Sequence, residues 1–219
     1  ASLAYHVSES RDKFIQIDSC CLASENVNKL LASFIEIVNK KNLDFIKEIE
    51  VRESYTTKEL MLAIYPSEKT ENNLHALFSK FNVKNTYIEE TVSGKTFRIG
   101  PESFFQINVP MLEIALKEMQ KSIRLDKKEI IADLYCGIGT FGIALSQFAK
   151  EVIGIESDPN NISFLKSNLK LNNIENFKLY EGLCERLFPK ILISGIDTLI
   201  LDPPRKGLDN MLCQNILLS

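Results

Sequence analysis

Two closely spaced glycines, Gly137 and Gly139, lie in the stretch "IIADLYCGIGTFGIAL" at residues 130–145. An apolar run precedes these glycines and an amphipathic run follows them, a pattern that indicates a strand, a tight turn and a helix. Glycine lets the backbone approach a ligand closely, and the first turn of a helix presents free N–H groups. The stretch therefore predicts a ligand site that suits a nucleotide, a dinucleotide or S-adenosylmethionine.

Two carboxylates narrow this choice of ligand. Gly142 completes a G-x-G-x-x-G pattern, as in dinucleotide sites, but Asp133 stands four residues before the first glycine. An anionic Asp would repel a pyrophosphate and attract the ammonium group of S-adenosylmethionine. Glu156 ends the next apolar run, "VIGIE", where a carboxylate can accept hydrogen bonds from ribose hydroxyls. No Gly-Lys-Ser/Thr follows the glycines, which excludes a P-loop.

A third strand end carries the segment "LILDPPRKG" at residues 199–207. Its two prolines have a fixed φ and no N–H, so the loop after Asp202 is stiff and leaves carbonyl groups free to hold a planar base or an amine. Each feature also has a simpler interpretation: a tight turn for the glycines, a solvated strand end for Glu156 and a turn or helix cap for Asp202. All three nevertheless come at successive strand ends, where open α/β sheets bind ligands.

The elements that must position these residues alternate between strand and helix from Pro110 onward, which predicts an α/β fold with a parallel, doubly wound sheet of four strands. The first hundred residues predict a small α+β module. It contains a helix over residues 24–41, a pair of strands, a short helix over residues 71–81 and a hairpin that turns at Ser93-Gly94.

The composition is that of an ordinary globular protein of 219 residues with a net charge of −3. This charge argues against strong nonspecific binding to nucleic acid. The five cysteines are odd in number and lack CxxC spacing, which favours reduced thiols, no metal site and a cytoplasmic location. No apolar run reaches the ~18 residues of a membrane span.

Four segments together resemble the RNA 5-methyluridine methyltransferases: "SFFQIN", "DLYCGIGTFGIAL", "VIGIESDPNNISFLKSNLKLNNIENF" and "LDPPRKGL". The resemblance covers about residues 85–210. It implies a Rossmann-like S-adenosylmethionine methyltransferase domain at residues 109–219 and a central α+β domain at residues 1–108. It also implies methyl transfer from S-adenosylmethionine to C5 of a uridine in rRNA or tRNA.

The resemblance further implies roles for individual residues. Phe104 would stack on an RNA base, with a core position as its alternative, and Asp202 and Arg205 would contact the RNA. The residues that the resemblance implies to bind the cofactor are Gln106, Tyr135, Gly137, Gly139, Thr140, Glu156 and Asp202, and Asp133 joins this set through the charge argument above.

In this family a cysteine thiolate adds to C6 of uracil and C5 attacks the methyl group; a base then removes the C5 proton as the thiolate leaves C6. The nucleophile of the family stands in a Ser-Cys-Asn/Asp-Pro segment beyond the "DPPR" loop, and that segment is not in this sequence. We therefore expect an inactive, truncated portion of a longer enzyme. Its interrupted sheet would expose an edge and lead to self-association.

Two positions depart from the family pattern. Leu183 stands where the family usually has Asp or Asn in contact with the cofactor. Cys20 falls near the fourth ligand of an iron–sulfur cluster that some members carry, but one cysteine cannot hold a cluster that needs four ligands. Two other functions stay open: a methyltransferase of amines or protein amides, which often has Asn-Pro-Pro-Tyr at the loop, and a non-catalytic binding module.

Overall fold

A computed structural model describes residues 2–6, 13–66, 81–123, 127–192 and 195–217. The contacts divide the chain into two compact units, Ala1–Ile88 and Glu89–Ser219. The domain boundary expected after residue 108 stays a prediction, and the contacts group residues 89–108 with the second unit. The helix predicted over residues 71–81 falls, except for its last residue, outside the described residues.

The first unit is a small α+β module. Its elements are β1 (Ala4–His6), β2 (Phe14–Gln16), α1 (Glu25–Lys41), β3 (Ile46–Glu53), β4 (Leu60–Pro66) and β5 (Val83–Lys84). Strands β3 and β4 form an antiparallel hairpin, and β5 runs parallel to β4. The hydroxyl oxygen of Ser24 accepts the N–H of Val27 at 3.2 Å and caps α1. Leu30 and Phe34 of this helix are buried in one cluster with Leu62 of β4.

The predicted hairpin is present as β6 (Ile88–Val92) and β7 (Lys95–Ile99). Its two turn residues, Ser93 and Gly94, have φ values of 49° and 76°. Positive φ at both central residues is typical of the type I′ turn, whose twist suits a two-residue hairpin. The hairpin signal in the sequence is therefore confirmed.

The rest of the second unit alternates between helix and strand. Its elements are α2 (Val109–Ile123), β8 (Ile130–Leu134), α3 (Thr140–Leu145), β9 (Glu151–Glu156), α4 (Pro159–Leu171), β10 (Phe177–Glu181), α5 (Cys184–Ile191), β11 (Thr198–Leu201) and α6 (Asn210–Leu217). The four strands form one parallel sheet in the order β10–β9–β8–β11. The predicted α/β fold with a parallel, Rossmann-like sheet is confirmed.

Helix α5 was not predicted from the sequence. Its buried residues Cys184, Phe188 and Ile191 follow the i, i+4, i+7 spacing of one helix face, but Pro189 interrupts the pattern. The connection between parallel strands β10 and β11 requires a crossover, which is usually a helix. Topology therefore indicates this helix more clearly than local propensity does. Within the described parts of the chain, no helix is long and apolar enough to cross a membrane.

Candidate functional site

The register of the sheet places three of the predicted site residues side by side at the carboxyl ends of neighbouring strands. Leu134 pairs with Ile155 of β9 and with Leu201 of β11. The residues that follow these three, Tyr135, Glu156 and Asp202, therefore emerge at neighbouring carboxyl ends of parallel strands. This is the place where open α/β sheets bind ligands.

The loop after β8 depends on its glycines for two different reasons. Gly139 has a φ of 90°, and a Cβ atom there would lie 2.4 Å from Leu165 Cδ1. Gly137 has a φ of 57°, but a Cβ there would meet no atom within 4 Å. Gly139 is therefore required by backbone conformation and packing, whereas Gly137 borders open space that a ligand can occupy. Thr140, buried, begins α3 directly after the loop.

Glu156 organises this loop from the neighbouring strand. Its carboxylate accepts backbone N–H groups from Gly137, Ser157 and Asp158, each at 2.8 Å. The side chain is only 8% exposed. A carboxylate has about four lone-pair positions, so Glu156 retains capacity for one further donor. The simpler interpretation of Glu156 as a solvated strand end does not fit this environment.

Asp133 is buried beneath the loop with 1% exposure. Its Oδ2 accepts the N–H of Gly142 at 2.9 Å, while its Oδ1 is buried without a hydrogen-bond partner among the described residues. Burial raises the pKa of Asp133 to about 7, against the lowering effect of the Gly142 N–H, and the charges of Asp202 and Glu156 raise it further. An unpaired buried carboxylate oxygen favours a cationic hydrogen-bond donor as its partner.

Tyr135 occupies the left-handed region with a φ of 60°, which is uncommon for a residue with a side chain. Its hydroxyl donates to Oε1 of Glu185 in the first turn of α5 at 2.9 Å. Burial, and then this hydrogen bond, raise the pKa of Tyr135 above its usual range. Sequence reasoning missed Glu185 because the helix that carries it, α5, was itself not predicted.

Two motifs that are distant in the sequence meet at the end of β11. Gln106 Nε2 donates to Asp202 Oδ2 at 3.2 Å, and 96 positions separate these residues. Asp202 and Arg205 are both exposed. Phe104 is 63% exposed, whereas the adjacent Phe105 is buried and its ring centroid lies 5.9 Å from that of Phe97. The core position considered for Phe104 is therefore occupied by Phe105.

Leu183 lies between β10 and α5. It is exposed, and the N–H of the preceding Gly182 donates to the carbonyl oxygen of Glu156 at 2.7 Å. The other departure from the family pattern, Cys20, belongs to the first unit, where its Sγ lies 2.6 Å from Tyr5 Oη. Among the described residues, no three His, Cys, Asp or Glu side chains are grouped so that they could hold a metal ion.

The fold defined above is that of the Rossmann-like methyltransferases. Residues 112–196 match the family model of the TRM5/TYW2 methyltransferase domain. The tRNA (uracil-54, C5)-methyltransferase of Pyrococcus abyssi, solved in complex with S-adenosyl-L-homocysteine, superimposes with a TM-score of 0.71. That similarity covers 93% of this chain and 57% of the archaeal chain, at 25% sequence identity.

Proteins with similar sequences are also named as methyltransferases. An uncharacterised RNA methyltransferase of Enterococcus faecalis is 40% identical over 59% of this chain and 29% of its own length. One of Clostridium acetobutylicum is 28% identical over 95% of this chain and 54% of its own length. The chain thus spans about half or less of the curated relatives it matches. The prediction of a Rossmann-like methyltransferase fold is confirmed, whereas the activity and the substrate of this chain are left to the proposal below.

Proposed function

We propose that this protein binds S-adenosylmethionine at the carboxyl ends of β8 and β9 and transfers its methyl group to C5 of a uridine in rRNA or tRNA. The observation that carries this proposal is the similarity, over 93% of the chain, to a solved tRNA uracil-C5 methyltransferase in complex with S-adenosyl-L-homocysteine. The hydrogen bond between Gln106 and Asp202 supports it, because it joins the two resembling motifs beside the glycine loop.

The residues at the strand ends suit this cofactor. S-adenosylmethionine would supply an electrophilic methyl group on a sulfonium. The unpaired, buried Oδ1 of Asp133 suits the cofactor's ammonium group, and the open side of Gly137 leaves room for its methionine part. Glu156 retains one acceptor position for a ribose hydroxyl. Gln106, Tyr135, Gly139 and Thr140 complete the proposed cofactor-binding set.

The exposed groups at the end of β11 suit an RNA substrate. The Asp202 carboxylate is able to accept the N3–H of uracil with either oxygen. An Asn in the same place would accept that N–H only when its oxygen faces the base, because its NH2 group is itself a donor. Phe104 offers an exposed ring on which a base can stack, and Arg205 offers a cation to a phosphate. This combination favours uridine over an amine acceptor.

Uracil C5 becomes nucleophilic enough only after a thiolate adds to C6. Burial raises the pKa of Cys184 to about 12 and also raises the pKa of Cys136, so these two thiols stay protonated near neutral pH. The Ser-Cys-Asn/Asp-Pro segment that carries the nucleophile in the resembling family is not in this sequence. We therefore assign the nucleophile and the final base to residues outside these 219, and we propose that this chain alone does not turn over.

The test uses the full-length protein that contains this sequence. Unmodified rRNA and tRNA transcripts are incubated with S-adenosylmethionine, digested to nucleosides and analysed by mass spectrometry. We expect 5-methyluridine in one RNA, and we expect an Asp202→Asn variant to form much less of it. A methyl group on another nucleoside would overturn the uridine assignment, and no methylation of either RNA would overturn the RNA proposal.

A second candidate is methyl transfer to a different RNA acceptor. The observation that favours it is the match of residues 112–196 to the TRM5/TYW2 methyltransferase domain. The same digest separates the two candidates, because each methylated nucleoside has its own retention time and fragmentation.

A further inference from the structure

Helix α4 carries a fully buried asparagine, Asn168, on the face that meets β7. Its Oδ1 accepts the N–H of Arg98 at 2.8 Å. Its Nδ2 donates to the carbonyl oxygens of Arg98 and Ile138, both at 3.2 Å. A buried amide is expensive unless it is paired, and three of the four hydrogen-bonding positions of Asn168 are used.

Asn172, one helical turn later, makes a similar pair of contacts with β7. Its Oδ1 accepts the N–H of Thr96 at 2.9 Å, and its Nδ2 donates to the Thr96 carbonyl at 2.7 Å. Four helix residues rise about 6.0 Å and two strand residues about 6.6 Å. The four-residue spacing of the two asparagines along α4 therefore matches the two-residue spacing of Arg98 and Thr96 along β7. Through these two side chains, α4 hydrogen-bonds to the edge of β7 as a neighbouring strand would.

The two asparagines differ in their remaining contact. The Nδ2 of Asn172 also donates to the Asn168 carbonyl, within α4 itself. The Nδ2 of Asn168 reaches the carbonyl of Ile138, which lies between the two glycines of the ligand loop. Asn168 thus joins the backbone of β7 to the backbone of the glycine loop, whereas the described contacts of Asn172 stay on β7 and α4.

Strand β7 leads directly to the segment that carries Gln106, and α4 holds that segment too. Asn160 Nδ2 donates to the Pro101 carbonyl at 3.2 Å and lies 3.4 Å from Ser103 Oγ. A Cβ at Gly100 would lie 2.1 Å from the Phe164 ring, so the chain passes directly against α4. The position of Gln106 is therefore tied to the same helix that Asn168 ties to the glycine loop.

We infer that Asn168 is a positioning residue that couples the glycine loop to the segment bearing Gln106, and that it preorganises both for the cofactor. This inference rests on the proposed binding of S-adenosylmethionine. It predicts that losing the Ile138 contact weakens cofactor binding beyond any loss of stability.

The experiment compares Asn168→Asp with Asn172→Asp in the full-length protein. Each change keeps the shape of the side chain, removes its N–H donors and places a carboxylate against the same strand. Affinity for S-adenosyl-L-homocysteine is measured by calorimetry, and the free energy of unfolding is measured with urea. We expect Asn168→Asp to weaken binding by about tenfold, the equivalent of one lost hydrogen bond. We expect Asn172→Asp to stay within about twofold of wild type although it also loses stability. Equal effects of the two changes on binding would overturn the inference.

A measurement on the wild-type protein covers the case in which Asn168→Asp does not fold. Hydrogen exchange at the Arg98 amide, which donates to Asn168, should slow when S-adenosyl-L-homocysteine binds. The Thr96 amide, which donates to Asn172, serves as the control and should change less. Equal protection at both amides, or none at Arg98, would overturn the coupling. Failure of the wild type to bind S-adenosyl-L-homocysteine at all would instead overturn the proposed function, and this inference with it.

Discussion

The strand ends of β8 and β9 differ from the strand end of β11 in the same sheet. At the first two, Asp133 and Glu156 are buried; Asp133 accepts the N–H of Gly142 in α3, and Glu156 accepts the N–H of Gly137 in the glycine loop. At the third, Asp202 and Arg205 are exposed, and the described partner of Asp202 is the side chain of Gln106. Under the proposed function, the buried end would hold the cofactor and the exposed end would meet the RNA. Substitutions should therefore affect folding stability at the first end and substrate use at the second.

The largest expected effect is the pH dependence of Asp133. Its pKa is raised from the usual 3.8 to about 7 in the folded protein. Between these values the folded state binds more protons than the unfolded state, so the free energy of unfolding falls as pH rises toward 7. As the pH rises from 5 to 8, the wild type should lose about 3 kcal/mol of its free energy of unfolding that Asp133→Asn does not lose, as measured by urea unfolding. Parallel pH profiles for the two proteins would contradict the burial of this carboxylate.

The same carboxylate should report on ligand binding. A cationic ammonium beside Asp133 favours its ionised form, so binding of S-adenosyl-L-homocysteine near pH 7 should release a proton. Calorimetry in buffers of different ionisation enthalpy measures this release, and Asp133→Asn should abolish it. Proton release that persists in the variant would show that another group is the source.

The two glycines of the loop provide the next comparison. Gly139→Ala should lower the free energy of unfolding by about 2 kcal/mol, because a left-handed backbone and a crowded Cβ act together. Gly137 also has a positive φ, but a Cβ there would meet open space, so Gly137→Ala should cost about 1 kcal/mol. Urea unfolding midpoints test the order. A larger loss at Gly137 would mean that packing against Leu165 does not constrain the loop.

At the exposed end of β11 we expect a substitution to leave stability nearly unchanged and to reduce activity strongly. Asp202→Ala should change the free energy of unfolding by less than about 0.5 kcal/mol, as is usual for surface positions. In the full-length protein the same variant should nevertheless lose most of its RNA methylation. Loss of stability comparable to that of Gly139→Ala would contradict the division between the two strand ends.

The smallest expected effect concerns β11, which pairs with β8 and has no second strand partner within the described residues. An unpaired edge favours association with another chain, and we expect this chain to self-associate weakly through it. Leu201, exposed at the end of β11, is the matched test: Leu201→Lys should lower the mass measured by light scattering at high concentration. A monomeric wild type under those conditions would remove this expectation.

The strands of the sheet and the glycine loop were predictable because their signals are local. Apolar runs mark each strand, and the positive φ values of Gly137 and Gly139 agree with the residue type. Helix α5 was missed because Pro189 interrupts its short pattern. The role of Asn168 was not predictable, since its partners Ile138 and Arg98 lie 30 and 70 positions away and an asparagine in a helix ordinarily points to solvent.

The attachment of β7 to α4 has a consequence for the order of folding. The β6–β7 hairpin is closed by a two-residue turn and forms from neighbours in the chain, whereas its bonds to Asn168 and Asn172 span 70 and 76 positions. Contacts of such long sequence separation tend to form late, after the entropy of closing the loop has been overcome. Weakening the asparagine pair should therefore accelerate unfolding more than it slows refolding.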